Sequence, residues 1–434
     1  MFKLKLIDLA KGSNISDQYK FYCSTLNWSR DQVVSYQNKR LKSLINHSCL
    51  NVPYYRNWMV NHNIIPQEIN STEELKKLPI LDRVIIRQKN KDLIAQNYKT
   101  KDLHGGSSSG TTGIPINYYH DTQSISAGGA ANYALWLMSG WKPGQKNIHI
   151  WGNASSIERW NSIVSKLKTR LMNQLNIPST HLNENNISEI AEKIIRFKPK
   201  SIEGYPSAIY TLANHFKQNN LSIKGLKQVL TTAENLEDYQ RDIIEATFAP
   251  TGDFYGSGEV MGIASRPIGD NRYYIFEPHV IVEAVDSGLE GMKDILVTDL
   301  DNYAMPMIRY KVGDLIDNIY IPETNSKYQF SYFKKLIGRS ADIITLTNGM
   351  RFHPINIFGG TLFREFPFIS KHRVVWDGKL LRIIFEVNGS VDDSLLKQKI
   401  DELLKRYDVS YSIEYTTKLL PSSNGKYKYV EIIK

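Results

Sequence analysis

Apolar residues near the start of the chain recur with the spacing of a helix. Between residues 15 and 65 they fall on one face, as Leu41, Leu44 and Ile45 do. The run that follows contains Pro53, whose ring cannot continue the interior of a helix. The pattern predicts a helical lead-in with a helix that stops at this proline.

Short apolar runs alternate with helical stretches through the middle of the chain, from residue 107 to residue 314. The predicted elements are strand 147–151, helix 188–197, strand 201–204, helix 207–216, strand 228–231 and helix 236–248. Alternation of this kind is typical of a largely parallel sheet covered by helices. The middle of the chain is therefore expected to be an α/β domain.

The pattern changes near residue 273, where strands begin to follow one another closely with turns between them as far as residue 320. After residue 338 strands and helices mix again, which predicts a compact α+β domain. The expected fold class is α/β. We expect a large N-terminal domain at 1–338, with parallel-rich sheets plus a β-rich subdomain, and a small C-terminal domain at 339–434.

Charge and composition exclude several classes of protein. The net charge of +10 comes from 54 Lys and Arg against 44 Asp and Glu, and the basic residues are scattered along the chain. A scattered positive charge favours anionic partners such as nucleotides, phosphorylated sugars, anionic lipid headgroups or nucleic acid without choosing among them, and it forms no clustered basic stripe. The two cysteines have no metal-ligand spacing. No apolar segment approaches the ~20 residues of a membrane span, so we expect a cytoplasmic protein.

The sharpest local feature is the run GGSSSGTTGIP at residues 105–115, which predicts a loop that holds an anion. Glycine permits close approach of the backbone, and the interleaved hydroxyls and N–H groups can donate hydrogen bonds to phosphate oxygens. The run lacks the GK[ST] of a Walker loop and does not match GxGxxG, so kinase-type and dinucleotide-type sites fit poorly. A flexible Gly/Ser linker explains the composition equally well.

Five further segments follow this run in a fixed order. They are YGSGE at 255–259, MPMIRYKVGD at 305–314, GRSAD at 338–342, NGMR at 348–351 and PSSNGK at 421–426. With NVPYYR at 51–56 and LPIL at 78–81, they resemble the adenylate-forming superfamily of acyl-CoA synthetases. Within it they resemble the phenylacetate-CoA ligase-like group, which includes CapK-type proteins of capsular polysaccharide biosynthesis. The resemblance runs from about residue 30 to the end of the chain.

The resemblance implies an enzyme that uses ATP and Mg²⁺ to activate a carboxylic acid as an acyl-adenylate, releasing pyrophosphate. The acyl group would then pass to CoA, an amine or a sugar, in capsule or cell-surface polysaccharide biosynthesis. The alternative is a non-catalytic nucleotide-binding or scaffold protein of a glycan assembly pathway. The sequence leaves open the carboxylic acid, the final acceptor and the oligomeric state.

The resemblance also assigns residues to the phosphates and the metal. Those expected to grip the ATP phosphates are Ser107, Ser108, Ser109, Gly110, Thr111, Thr112 and Gly113. Glu259 would help to hold Mg²⁺, because a hard cation favours carboxylate and phosphate oxygens. Taken alone, Glu259 is better explained as a carboxylate at a helix N-terminus.

A second set is assigned to the base and the sugar of the nucleotide. Those placed beside the base are Ala233, Glu234, Tyr255 and Gly256, with Tyr255 either stacked on adenine or lining the acyl pocket. Asp314 would accept hydrogen bonds from the ribose hydroxyls, and Arg339 would face the ribose-phosphate region. The alternatives are a turn residue for Asp314 and a surface ion pair for Arg339.

The last assignments concern the C-terminal domain, which the resemblance implies to be mobile between the two half-reactions. Lys426 would reach the carboxylate and the α-phosphate in the first transition state, although taken alone it is better explained as a solvated tail lysine. Related enzymes commonly carry a charged hinge residue two positions after the arginine. Here that position is Ala341, followed by Asp342, which puts the second half-reaction in question.

Overall fold

A computed structural model describes residues 2–108, 115–152, 163–358, 362, 365–366, 368–387, 393–420 and 427–433. Helices and strands are distributed along this whole length. The α-helices are α1 Phe2–Lys11, α2 Ile15–Thr25, α3 Arg30–Asn51, α4 Pro53–Asn61, α5 Arg83–Gln88, α6 Thr122–Met138, α7 Ile163–Leu171, α8 Ile187–Phe197, α9 Pro206–Gln218, α10 Asp238–Thr247, α11 Pro354–Phe358 and α12 Asp393–Leu404. Within the described ranges, none of these helices has the length and apolarity to cross a membrane.

The strands fall into a mixture of parallel and antiparallel pairings. They are β1 His104–Ser108, β2 Ile116–His120, β3 Asn147–Trp151, β4 Gln174–Pro178, β5 Ser201–Gly204, β6 Gln228–Thr232, β7 Thr251–Tyr255, β8 Ala264–Arg266, β9 Tyr273–Ile275, β10 Val280–Asp286, β11 Lys293–Asp299, β12 Tyr310–Ile316, β13 Tyr332–Phe333, β14 Leu336–Arg339, β15 Ile344–Thr345, β16 Arg351–Phe352, β17 Ile369–Trp376, β18 Leu381–Val387, β19 Tyr411–Thr416 and β20 Val430–Ile432. Short 3₁₀ turns lie between them, one of which spans Ser340–Asp342 and includes the expected hinge position.

The chain divides into two compact units, and the first contains Met1–Gln145, Arg170–Gln174 and Gly252–Leu336. Its β10, β11 and β12 form an antiparallel set, and β7, β8 and β9 form another. The helical lead-in packs here, since Leu41, Leu44 and Ile45 are fully buried in its core. Pro53 ends one helix and begins the next, because proline fits the first turn of a helix.

The second unit contains Lys146–Thr169, Leu175–Thr251 and Ile337–Lys434. Its strands β3, β5 and β6 are parallel neighbours, as the alternating pattern predicts. Residues of α8, α9 and α10 share one hydrophobic core with residues of the C-terminal strands β17 and β18. The C-terminal sheet has the order β19-β18-β17-β20, in which β18 pairs antiparallel with β17, and both edge pairs are parallel.

These observations confirm the predicted α/β fold class with parallel-rich sheet and β-rich parts. The elements expected after residue 338 are also found, including the short helix at Pro354 and the strands on either side of residue 378. The boundary between residues 338 and 339 stays a prediction. Compactness instead groups residues 337–434 with residues 146–169 and 175–251.

A buried histidine of the first unit carries charge. His279 directs Nδ1 to the carboxylate of Asp301 at 2.6 Å and Nε2 to the carbonyl oxygen of Met261 at 2.9 Å. A carbonyl can only accept, so Nε2 must donate, and with an ionised Asp301 both ring nitrogens donate. Asp301 also accepts from Arg40 at 2.6 Å. His279, Asp299 and Asp301 offer atoms within 4.8 Å of one another, but a metal ion bound to Nδ1 would have to displace the proton that His279 donates to Asp301.

Electrostatics agrees with this geometry. Burial alone would lower the pKa of His279, but the charges of Asp299 and Asp301 and the hydrogen bond to Asp301 raise it above its usual value. A raised folded-state pKa favours the fold most at pH values below the unfolded pKa of about 6.5. This contribution is lost as the pH rises through the folded-state pKa.

We predict that Asp301→Asn lowers the free energy of unfolding by roughly 3 to 5 kcal/mol, because it removes the carboxylate that accepts hydrogen bonds from the buried imidazolium and from Arg40. Urea unfolding from pH 6 to pH 9 measures this. Wild-type stability should fall toward alkaline pH, and the variant should lose much of that dependence. Glu73→Gln is the control, since its pair with Lys76 is exposed. Identical pH profiles for wild type and Asp301→Asn would contradict the assignment.

Candidate functional site

The Gly/Ser/Thr run begins as a strand and not as a loop. Residues His104–Ser108 form β1, which pairs antiparallel with β2 so that Ser108 lies opposite Ile116. Ser107 and Ser108 therefore occupy the end of a hairpin arm, with Ser107 exposed and Ser108 partly buried. The sequence assigned 105–108 to the loop, and the ladder with β2 corrects this. Ser109, Gly110, Thr111, Thr112 and Gly113 lie outside the described residues.

Two glycines make room for one tyrosine ring beside this hairpin. A Cβ atom at Gly106 would lie 2.3 Å from Cζ of Tyr118, and one at Gly258 would lie 2.4 Å from its hydroxyl oxygen. Neither position could carry a side chain unless the ring moved. Burial and the charge of Glu259 both raise the pKa of the Tyr118 hydroxyl. The ring of Tyr118 thus contacts both β1 and the YGSGE segment.

The carboxylate of Glu259 gathers three hydrogen-bond donors on one oxygen. Its Oε1 accepts from the Ser108 hydroxyl at 2.6 Å, from the Tyr310 hydroxyl at 3.1 Å and from Arg83 at 3.2 Å. Arg83 also donates to the hydroxyl of Ser108 at 2.5 Å and to its carbonyl oxygen at 3.2 Å. The side chain of Glu259 is 4% exposed, so these bonds lie away from bulk water.

Burial would raise the pKa of Glu259, but the hydrogen bond from Ser108 and the charge of Arg83 lower it overall. The carboxylate is therefore ionised at neutral pH. A buried anion of this kind needs a partner cation, and Arg83 supplies one. Oxygen atoms of an ionised carboxylate and a hydroxyl, next to a guanidinium, are the groups that could hold a phosphate together with a hard cation.

Tyr255 and Asp314 lie together in the same unit. The Tyr255 hydroxyl donates to Oδ2 of Asp314 at 2.8 Å, and both residues are buried. The ring of Tyr255 meets Phe333 edge to face, with centroids 6.2 Å apart. Gly256 follows in a close turn in which a Cβ would lie 3.1 Å from the backbone nitrogen of Gly262. The assignment of Tyr255 to adenine or to an acyl pocket stays a prediction.

The remaining assigned residues lie in the second unit. Ala233 has a φ of 69°, a left-handed conformation that is rare for residues other than glycine. Glu234 follows it, and its two carboxylate oxygens accept backbone N–H groups from Ser207 at 3.1 Å and Tyr427 at 2.9 Å. Arg339 is partly buried, and its carbonyl oxygen lies 3.1 Å from Nε2 of His353. Lys426 lies outside the described residues.

The structure thus brings Ser108 to Glu259 and Tyr255 to Asp314. It also adds two residues that sequence reasoning missed, Arg83 and Tyr310. Each had a signal in the sequence. Arg83 comes two residues after the LPIL run, and Tyr310 lies inside the MPMIRYKVGD segment. Neither run shows by itself that its side chains converge on Glu259, because the contacts span 176 and 51 residues.

Comparison with known proteins supports the resemblance to the phenylacetate-CoA ligase-like group. No family model matches the chain. The protein CapK of Staphylococcus aureus is 23% identical over 400 residues, which cover 91% of this chain and 88% of CapK. The phenylacetate-coenzyme A ligase of Thermus thermophilus is 23% identical over 388 residues, covering 86% of this chain and 82% of the ligase.

Solved structures show the same fold. A 2-hydroxyisobutyryl-CoA ligase in the postadenylation state with 2-HIB-AMP aligns with a TM-score of 0.72 at 15% identity, covering 92% of this chain and 89% of that chain. The anthranilate CoA ligase AuaEII with anthranoyl-AMP aligns with a TM-score of 0.52 at 14% identity, covering 77% and 67%. The solved structures confirm the fold class, and the likeness to CapK and the phenylacetate-coenzyme A ligase confirms the predicted resemblance.

We predict that Arg83→Gln raises the pKa of Glu259, because burial is then opposed by hydrogen bonds without a neighbouring positive charge. A ¹³C NMR titration of the Glu259 carboxyl carbon measures this. A lowered folded-state pKa contributes stability above the unfolded pKa and loses it as the pH falls through the folded-state pKa. The variant should therefore unfold at a higher pH during acid titration.

Lys89→Gln is the matched control for that variant. It removes one positive charge at the end of the same helix, where Lys89 is half-exposed beside Asp92. The control should leave the pKa of Glu259 unchanged. If both variants titrate as wild type does, Arg83 is not the cation that holds this carboxylate ionised.

Proposed function

We propose that this relative of CapK and the phenylacetate-CoA ligases is an adenylate-forming ligase. It would use ATP to convert a carboxylic acid into an acyl-adenylate and pyrophosphate, and then transfer the acyl group to an acceptor. The observation that carries the proposal is the cluster of Ser108, Glu259 and Arg83 at the end of the Gly/Ser/Thr hairpin arm. It sets a hydroxyl, an ionised carboxylate and a guanidinium where the resemblance expects the ATP phosphates.

The chemistry of this cluster suits Mg²⁺. Ser108 and Glu259 offer oxygen atoms, which a hard divalent cation prefers, and the lowered pKa of Glu259 keeps its carboxylate ionised. When bound, the ion would neutralise charge on the phosphates. Arg83 would add a fixed positive charge and hold the Ser108 hydroxyl in position.

Asp314 supports the assignment of a ribose site. Its Oδ2 accepts from the Tyr255 hydroxyl at 2.8 Å, which fixes the orientation of the carboxylate. An oriented carboxylate can accept hydrogen bonds from two neighbouring hydroxyls. We assign the ribose to Asp314 and the ribose-phosphate region to Arg339, with Lys426 as the residue that stabilises charge in the adenylation transition state.

The acceptor and the pathway are proposed from the relatives alone. CoA is the first acceptor to test, because relatives at 23–25% identity are phenylacetate-coenzyme A ligases. A place in capsule or cell-surface polysaccharide synthesis rests on the likeness to CapK, and it would suit an amine or sugar acceptor. A cytoplasmic location belongs to the same proposal.

Carboxylate-dependent exchange of labelled pyrophosphate into ATP tests the function. Aromatic, fatty, amino and hydroxy acids form the panel, each assayed with Mg²⁺ and with and without CoA. Exchange with one class of acid is the expected outcome. Folded protein that binds ATP but exchanges with no acid would overturn the proposal and favour the non-catalytic nucleotide-binding alternative.

Asp314→Asn is expected to lower kcat/KM for ATP by roughly 10- to 100-fold, because the variant would lose a hydrogen bond between the carboxylate and the sugar. Wild type should prefer ATP to 2′,3′-dideoxyATP, whereas the variant should show little preference. Asp286→Asn is the control, since Asp286 is exposed on a β-hairpin. A variant that still discriminates between the two nucleotides would show that Asp314 does not contact the ribose.

Lys426→Ala is expected to remove most of the adenylation rate and to leave the affinity for ATP nearly intact. The reason is that the lysine would stabilise charge that develops only in the transition state. Pyrophosphate exchange gives the rate, and equilibrium binding of ATP gives the affinity. Lys428→Ala, two residues away, is the control. An unchanged exchange rate would identify Lys426 as a solvated tail residue.

A further inference from the structure

Glu234 joins two parts of the second unit that lie far apart in sequence. One carboxylate oxygen accepts the backbone N–H of Ser207 at 3.1 Å, and the other accepts the backbone N–H of Tyr427 at 2.9 Å. Ser207 stands in the first turn of α9, whereas Tyr427 precedes β20. The carboxylate therefore holds main chain on both sides.

The Ser207 contact is favourable because the first N–H groups of a helix have no partner inside the helix. The positive end of the helix dipole also attracts a carboxylate. The left-handed backbone of Ala233, with a φ of 69°, lies immediately before Glu234 and fixes the direction in which the chain enters this residue. Glu234 is thus anchored to the β6–α9 side independently of Tyr427.

Tyr427 is anchored to the C-terminal sheet by other bonds. Its hydroxyl donates to the carbonyl oxygen of His372 at 2.8 Å in a buried position, and its ring packs edge to face on Tyr429 at 4.6 Å. Val430 then pairs with Val374 in the sheet. The only charged side chain that the described residues place on the Tyr427 N–H is Glu234.

Two further contacts connect the same parts. The amide of Gln240 donates to the hydroxyl of Tyr429 at 3.1 Å in a buried position. A Cβ at Gly338 would lie 2.9 Å from Nδ2 of Asn235, so the start of the C-terminal segment approaches the residue beside Glu234 closely. The segment 234–240 therefore contacts residues 427–429 at two points.

We propose that Glu234 is a positioning residue for adenylation: by holding the amide of Tyr427, the residue that directly follows Lys426 in the sequence, it places the C-terminal segment for the first half-reaction. The inference rests on the proposed function. It differs from the expectation that Glu234 borders the adenine, because both carboxylate oxygens are engaged by main-chain N–H groups.

This role separates the two half-reactions. If the C-terminal domain rotates for acyl transfer, the Glu234–Tyr427 bond must open before that step. Removal of the carboxylate should then slow formation of the acyl-adenylate and leave its consumption by the acceptor unaffected. A residue that merely stabilises the fold would slow both steps alike.

The first experiment compares Glu234→Ala and Glu234→Gln with wild type in the full chain. With the acid that supports exchange in wild type, Glu234→Ala should lower the pyrophosphate exchange rate roughly 10- to 100-fold, with ATP affinity within about twofold. Conversion of the preformed acyl-AMP to a thioester with CoA should keep its wild-type rate. Glu234→Gln retains one acceptor oxygen, so its pyrophosphate exchange rate should lie between those of wild type and Glu234→Ala.

Glu184→Gln is the matched control. Glu184 forms an ion pair with Lys418 at 3.3 Å between the same parts of the unit, but both side chains are largely exposed. Its removal should leave both half-reactions unchanged. The double variant Glu234→Ala with Lys426→Ala should be no slower than Lys426→Ala alone, since Glu234 acts through the lysine segment. Equal slowing of both half-reactions, or additive losses, would overturn the proposal.

A second measurement does not depend on activity. The Tyr427 amide should exchange its hydrogen with solvent slowly in wild type and in Glu184→Gln, and at least about tenfold faster in Glu234→Ala. If Glu234→Ala left the hydrogen-exchange rate of the Tyr427 amide unchanged, the inference would be overturned even in an inactive protein. An absence of pyrophosphate exchange in wild type would instead refute the proposed function, and Tyr427 protection would still decide whether Glu234 holds this segment.

Discussion

One carboxylate oxygen organises the candidate site of the first unit. Oε1 of Glu259 accepts from residues that lie 51, 151 and 176 positions away in the chain. Each donor belongs to a different element: a strand of the β-rich part, the arm of a hairpin and a short helix. Because a buried carboxylate is stable only when its charge is compensated, the three elements must meet at this point if Glu259 is to stay ionised. The end of the Gly/Ser/Thr hairpin arm is positioned as a consequence.

Local patterns in the sequence were sufficient to predict most of the helices and strands. Helix Ile187–Phe197 and strand Ser201–Gly204 follow from periodicity, and the short strands between 280 and 316 follow from their turns. β1 was missed because glycine and serine have low strand propensity. Its ladder with β2 is a tertiary fact that the composition of one strand does not contain.

The site was only partly predictable for a related reason. Ordered motifs predicted Ser108, Glu259, Tyr255 and Asp314 as candidates, but no motif states which side chains touch. Arg83 is the clearest case, since an arginine at the start of a short helix is usually an exposed charge. Its role depends on the fold that places it 3.2 Å from Glu259. The same applies to Glu234, whose partners at 207 and 427 are determined by packing inside the second unit.

The ring of Tyr118 between Gly106 and Gly258 has a consequence for how this sequence can change over evolutionary time. While the ring keeps this position, neither glycine can acquire a side chain, because a Cβ would overlap it at 2.3 to 2.4 Å. A smaller residue at position 118 would release both glycines together. A side chain at either glycine therefore requires that Tyr118 be replaced or that its ring move, so the three positions should change as a linked group in divergent copies of this hairpin.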